Sequence, residues 1–325
     1  MNQTEYLRQK RKGAKLDKLS VTLRLCVTAL VLFVSVQAQQ QKTPAPRTAR
    51  VETVQWQSKM QGKLLPYNVV LPVDYDEAKT TAYPVLYLLH GLTGHFDNWT
   101  SRTKLAEYAA AYRLIIVTPE GNNGWYTDSA TTPADKYETY LTQELIPDVE
   151  SRYRALKTRE GRAIAGLSMG GYGSLKFGLK YPQMFAFAGS LSGALQAAEW
   201  TEKDLPPGNP IVTTIMAVYG PAGNATRAAN DLFKLIRDLT PEQIKALPFL
   251  YADCGTEDFL IQPNRELGKL LFEKKIPHEY RQRPGTHNWA YWDAQAQEVL
   301  RLATSKMSAP IISATGKQIQ PMGKN

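Results

Sequence analysis

The run Ala163-Ile164-Ala165-Gly166-Leu167-Ser168-Met169-Gly170-Gly171 constrains the fold more than any other stretch of this 325-residue chain. An apolar segment leads into a serine held between two glycines at G-x-S-x-G spacing, and small residues open the segment after it. The spacing predicts a strand, a sharp turn and a helix whose backbones pass closely, because glycine at both flanking positions removes the Cβ atoms that would hold them apart. Such a turn lifts the Ser168 hydroxyl clear of the backbone. The helix N-terminus behind it offers N–H groups where negative charge develops in acyl transfer. Ser168 is therefore a candidate nucleophile and the Met169 amide a candidate oxyanion donor, against the plainer reading of a structural turn.

The rest of the chain suits that reading. Short apolar or alternating runs predict strands over 51–57, 64–71, 85–89, 114–117, 163–165, 185–191, 249–252 and 279–283. Helical stretches fall between several of them, at 104–112, 136–153, 171–179, 230–239, 265–275 and 290–305. Short strands alternating with helices predict an α/β domain, and continuous apolar strands suit a mostly parallel central sheet covered by helices on both faces. That domain is expected over 51–305, with 306–325 as a loose tail and no internal repeat.

A serine nucleophile in this setting needs an acid and then a histidine later in the chain. Of the four histidines, only His278 and His287 follow Ser168. His278 stands just before the last expected strand, where an edge position is the plain reading. His287 lies in a turn, Pro284-Gly285-Thr286-His287-Asn288-Trp289, between that strand and the C-terminal helix, where a general base can overhang the sheet. The acid stays open on these grounds. Asp253 ends a strand, Asp258 comes next in the loop, and Glu257 sits beside it; a strand-end aspartate also commonly accepts backbone N–H bonds in a turn. A second oxyanion donor is expected after an earlier strand, and Val85-Leu86-Tyr87-Leu88-Leu89-His90-Gly91-Leu92 supplies one in the Leu92 amide. His90 then reads as structural and His95 as a solvated loop residue.

The net charge of +9 invites a nucleic-acid reading, but its distribution argues against one. Residues 1–38 hold seven bases and two acids, more than half of the excess, and the remaining charges are interspersed. Within that segment Leu25–Val36 is an uncharged apolar run of 12 residues followed by Gln37-Ala38. A basic flank, a short apolar run and a small-residue junction predict a secretory signal peptide over 1–38, with an uncleaved anchor as the alternative and secreted or periplasmic localisation expected. Residues 39–50, polar and proline-bearing, read as a linker. Of the two cysteines, Cys26 and Cys254, only the second lies beyond the leader, so no disulfide is expected, and no metal-type spacing appears.

Together these residues resemble the esterase D-like family of α/β hydrolases, which includes acetylxylan and feruloyl esterases of carbohydrate esterase family one, S-formylglutathione hydrolases and mycolyltransferase antigens. The matching pieces are Tyr83–Gly91, Gly166–Gly171, Cys254–Leu260 and Gly285–Trp289, spread over roughly 51–304. The resemblance implies the α/β-hydrolase fold, a Ser168–Asp258–His287 triad (the family's aspartate directly precedes Phe-Leu), and a pocket-lining loop at Gly121–Ser129. It implies neither cofactor nor metal. An export signal does not suit a cytosolic glutathione ester, and nothing in the sequence supports a long-acyl channel.

Aromatic residues crowd the expected site: Trp99, Trp125, Tyr126, Phe259, Trp289, Tyr291 and Trp292. Some are core on the plain reading; Trp125, Tyr126 and Trp289 are the candidates for substrate contact, as stacking surfaces for a sugar or aryl group. The expectation is a secreted serine esterase for short acyl or aryl esters, with carbohydrate-linked acetyl or feruloyl esters first. The alternatives are a siderophore or other small-molecule ester hydrolase, an acyltransferase, and a binding protein on a hydrolase scaffold. Neither a nucleic-acid partner nor stable membrane insertion is expected, and the sequence leaves the oligomeric state open.

Overall fold

Alternation of apolar side chains across two faces builds the sheet. In the strand Val85–Leu89, Val85, Tyr87 and Leu89 enter one buried cluster while Leu86 and Leu88 enter another, and Ile115, Ile116 and Val117 divide in the same way. These central strands therefore read as largely apolar runs, because helices cover both sides.

The computed structural model describes residues 48–204 and 208–313, all within one compact unit. Among the described residues ten strands are formed: β1 (Arg50–Val54), β2 (Tyr67–Leu71), β3 (Thr81–Ala82), β4 (Val85–Leu89), β5 (Ile115–Pro119), β6 (Arg162–Leu167), β7 (Phe187–Leu191), β8 (Phe249–Gly255), β9 (His278–Arg283) and β10 (Ile311–Ile312). Eight of them join one sheet in the order β1-β2-β5-β4-β6-β7-β8-β9. Strand β2 pairs antiparallel with both of its neighbours, and from β5 to β9 every pairing is parallel. The expected mostly parallel α/β sheet is observed.

The helices are α1 (Asn98–Arg102), α2 (Leu105–Ala109), α3 (Tyr137–Tyr140), α4 (Ile146–Arg152), α5 (Met169–Lys180), α6 (Pro210–Tyr219), α7 (Ala225–Asn230), α8 (Leu232–Arg237), α9 (Pro241–Ala246), α10 (Ile261–Glu273) and α11 (Trp289–Lys306). A π-helical turn, Leu141–Leu145, joins α3 to α4, so the single helix expected over 136–153 is continuous but locally wide. Helix α1 lies outside the expected stretches, and so, partly or wholly, do α6, α7 and α9 in the long connection between β7 and β8. The N-termini of the last three are set by local capping: Asn209, Asn224 and Thr240 each accept a backbone N–H of the first turn, and Pro210 and Pro241 pre-set the helical φ.

Two boundaries differ instructively from expectation. Leu64 makes only an isolated bridge to Gln57, and β2 starts after Pro66, which has no N–H to give to a ladder. The tail expected over 306–325 is not loose at its start. Met307 is buried, the Ser308 amide donates to the Glu160 carbonyl, and Ile311–Ile312 pair with Thr81–Ala82, because two β-branched residues meet an unpaired strand. The expected signal peptide, most of the linker and residues 314–325 lie outside the described residues; Arg50, expected as the linker's end, already opens β1.

Candidate active site

The turn at Ser168 has the geometry its glycines predict. Ser168 sits at φ 52° and ψ −115°, between β6 and α5. A Cβ on Gly170 would lie 2.6 Å from the carbonyl oxygens of Leu89 and His90, and one on Gly166 would lie 2.6 Å from the Gly170 backbone. Neither can carry a side chain without parting the helix from β4 and β6. Backbone bonds fix the strained residue from both sides: its N–H donates to the Leu191 carbonyl at 2.9 Å, and its carbonyl accepts from Tyr172 and Ala194.

The loops after β8 and β9 are laced together, which is how two distant segments come to face Ser168. Thr256 N–H donates to the Arg283 carbonyl, Glu257 N–H to the Gly285 carbonyl, and Gly285 N–H to the Glu257 carboxylate at 2.6 Å. A Cβ on Gly255 would stand only 2.1 Å from the Gly285 carbonyl oxygen, so that approach requires glycine. Asn288 then caps α11 by accepting the Tyr291 N–H, which places His287 just ahead of the helix.

Between these loops and the turn, three side chains form a line. His287 Nε2 lies 3.0 Å from Ser168 Oγ, and His287 Nδ1 lies 2.9 Å from Asp258 Oδ2. The other Asp258 oxygen accepts the Leu260 N–H at 2.9 Å. Burial would raise the Asp258 pKa, but the His287 bond and charge and the Leu260 amide outweigh it and hold the carboxyl below its ordinary value. An ionised Asp258 keeps the proton on Nδ1 and leaves Nε2 free to accept one from Ser168.

Asp253, the rival acid, points elsewhere. It is fully buried and accepts the hydroxyls of Tyr251 at 2.6 Å and Tyr291 at 3.1 Å. Burial pushes its pKa up to about 7, only partly offset by the two tyrosines and nearby arginines. Its place inside β8, which runs three residues beyond the expected end, explains the direction. Glu257 braces the turn at Gly285. The other histidines are also accounted for. Both ring nitrogens of buried His90 are bonded, Nδ1 to the Gly91 carbonyl and Nε2 to the Gly121 N–H. His95 is exposed beside Glu120, and His278 bonds the Ile276 carbonyl.

Ser168 opens into a cleft of about 460 Å³ lined by Leu92, Trp125, Trp200, Phe259, Trp289 and Trp292 among others. Of the expected contact residues, Trp125 and Trp289 line it. Tyr126 does not: its ring is buried against Gly121 and Gly173, and its hydroxyl donates to the His90 carbonyl, so it braces the cleft from behind. Trp99 and Tyr291 are likewise structural, through bonds to the Leu89 carbonyl and to Asp253. Sequence reasoning missed Trp200, Ile211 and Arg102, which also line the cleft. The first two belong to the long β7–β8 connection, and its emergence from a strand's C-terminal end was the available signal.

The loop carrying Trp125 is tied down by a buried ion cluster that no motif announces. Lys176 Nζ bonds the Tyr126 carbonyl at 2.6 Å, Thr127 Oγ1 at 2.7 Å and Glu138 at 2.8 Å; Lys180 also meets Glu138, at 2.6 Å. Burial lowers the Lys176 pKa to about 8, with Glu138 opposing the shift. Burial acts to raise the Glu138 pKa, yet the two ammonium groups prevail and bring it to about 2. Glu138→Gln leaves Lys176 buried without a counter-charge and is expected to cost about 3–5 kcal/mol in urea unfolding at neutral pH. Because the folded-state pKa is depressed, this contribution is present above pH 4.5 and fades as pH falls towards about 2. The wild-type and variant stabilities should therefore converge in acid; an equal gap at pH 7 and near pH 2.5 would contradict the assignment.

A serine-bearing turn at the C-terminal edge of a mostly parallel sheet, facing a histidine and a carboxylate from later loops, is an α/β-hydrolase arrangement. Comparison with known proteins makes the class specific. The family model described as "Putative esterase" matches residues 58–302. An acetyl esterase of Caldicellulosiruptor saccharolyticus is 30% identical over 248 residues, covering 74% of this chain and 92% of that protein. A ferulic acid esterase structure superposes with a TM-score of 0.69 at 28% identity, covering 81% of this chain and 100% of that one. The fluorophosphonate-binding serine hydrolase FphF of Staphylococcus aureus gives 0.70 at 27% identity, covering 79% and 99% respectively. The chain belongs to this esterase family and is a carboxylic ester hydrolase. Among the described residues, no helix is long and apolar enough to cross a membrane.

Proposed function

We propose that Ser168 is the nucleophile of a two-step ester hydrolysis, with His287 as the base and Asp258 as its orienting carboxylate. The single observation that carries this reading is the continuous Ser168 Oγ–His287–Asp258 line, at 3.0 and 2.9 Å. His287 Nε2 takes the hydroxyl proton as Ser168 Oγ bonds to the ester carbonyl carbon. The carbonyl oxygen becomes an oxyanion facing the amides of Leu92 and Met169, neither of which donates to another backbone group outside the helices and strands. The tetrahedral species collapses, the carbon–oxygen bond to the alcohol breaks, and His287 returns the proton to that leaving oxygen. Water, deprotonated by His287, then releases the acid and restores Ser168.

The substrates that fit best are acetyl or feruloyl esters of carbohydrates, met outside the cytoplasm. Support comes from the aromatic cleft walls, from the acetyl and ferulic acid esterases to which the chain is similar, and from the basic-then-apolar leader. Acetylated xylan fragments and methyl ferulate should give kcat/KM at least about tenfold above that for butyl acetate, a difference of about 1.4 kcal/mol in transition-state binding. Equal rates on all three would overturn the substrate assignment while leaving the catalytic one intact.

A further inference from the structure

Arg102 is a cation without a counter-charge at the cleft. It ends α1, and its guanidinium carbon lies 5.7 Å from the Trp289 ring centroid, a cation–π contact that holds the planar group at the rim. Among the described residues its guanidinium makes no ion pair or hydrogen bond, and the acids around it are engaged. Asp293, on the helix behind Trp289, accepts the Lys104 N–H at 2.8 Å and the Tyr108 hydroxyl at 2.9 Å. Asp97, at the head of the same short helix, accepts from Asn98. Among the described residues the cleft lining contains no aspartate or glutamate, and Arg102 is its one permanently charged side chain. A guanidinium fork held in place, unpaired and facing a cleft free of acids matches a planar carboxylate.

The mechanism fixes which half of the ester meets it. His287 must hand its proton to the departing oxygen, so the alcohol lies on the histidine's side of Ser168. On that side the rings form a chain: Trp292 stands 4.9 Å from His287, Trp289 stands 5.3 Å from Trp292, and Arg102 lies over Trp289. Trp125 and Trp200 contact each other at 6.4 Å, and no ring contact among the described residues links them to this chain. They are left to the acyl half. We infer that Arg102 selects esters whose alcohol half carries a carboxylate, such as a uronate-bearing saccharide, bound across Trp289 with its acid on the guanidinium.

This inference rests on the serine-esterase reading above, and its test separates the two. The chromogenic pair 5-carboxy-2-nitrophenyl acetate and 5-carbamoyl-2-nitrophenyl acetate differ in charge at one position of the leaving group. The readout is the ratio of their kcat/KM values within each enzyme, so a general loss from disturbing Trp289 cancels. Wild type should favour the carboxylate. Arg102→Gln should lower that ratio about three- to tenfold, as for loss of one charge-assisted contact. Arg102→Lys should retain part of it, and high salt should compress the wild-type ratio. A wild-type ratio at or below one, or a ratio unmoved by Arg102→Gln, overturns the inference while hydrolysis of the carboxamide ester still upholds the esterase reading. Failure of wild type to cleave either ester overturns both.

Discussion

Ser168→Ala is expected to lower kcat for p-nitrophenyl acetate by at least about 10⁴-fold, with the fold intact. The size comes from what the hydroxyl does. Without it no acyl-enzyme forms, and the His287 base is left with water alone to activate. Only binding and the Leu92 and Met169 amides remain, and these account for a small part of the acceleration. The change removes one oxygen whose partner in the folded protein is His287, while the backbone bonds to Leu191 and from Tyr172 and Ala194 that hold the turn are untouched. Stopped hydrolysis in a variant with wild-type circular dichroism is the expected result. Clean variant protein that keeps more than a few per cent of the rate would remove Ser168 from the mechanism.

The second large effect separates the two aspartates. Asp258→Asn should cut kcat by about 10³- to 10⁴-fold, because the amide no longer fixes the proton on His287 Nδ1 or balances the imidazolium that forms. Asp253→Asn should keep activity within about tenfold of wild type, since Asp253 binds two tyrosine hydroxyls and not the histidine. Its signature is thermodynamic. With a folded-state pKa of about 7 against an ordinary value of 3.8, the native state holds a proton that the unfolded chain has lost between those limits. The Asp253 contribution therefore weakens as pH rises from about 4 to about 7, and the Asn variant should gain on wild type over that window. Greater loss of activity at Asp253 than at Asp258 would reverse the assignment.

The sequence made legible whatever a local pattern encodes. Ala163–Gly171 specified strand, turn and helix because each glycine answers a steric demand made within a few residues or by the adjoining strand. His287 emerged from chain order and from its turn before a helix. The choice between Asp253 and Asp258 was not a local matter. It depends on β8 extending through Gly255, which swings Asp253 into the core and leaves Asp258 on the loop, and only the family resemblance favoured Asp258 in advance. Tyr126 shows the opposite failure: an aromatic residue in the right loop, turned inward by a hydrogen bond to the His90 carbonyl. The Lys176–Glu138–Lys180 cluster escaped notice because its opposite charges sit 38 or more residues apart and meet only in three dimensions. The same holds for α7 and α9 between β7 and β8, each of six residues and too short for a helical period to declare itself.

The central claim is that Ser168 is a nucleophile activated by His287, and covalent labelling tests it most directly. Incubation with a fluorophosphonate and then mass spectrometry of the intact and digested protein should show one adduct per chain, carried on Ser168 and not on the nearby Ser174. The adduct should be absent from Ser168→Ala and should form far more slowly in Asp258→Asn. A folded protein that takes up no label, or carries it on another residue, would contradict the account.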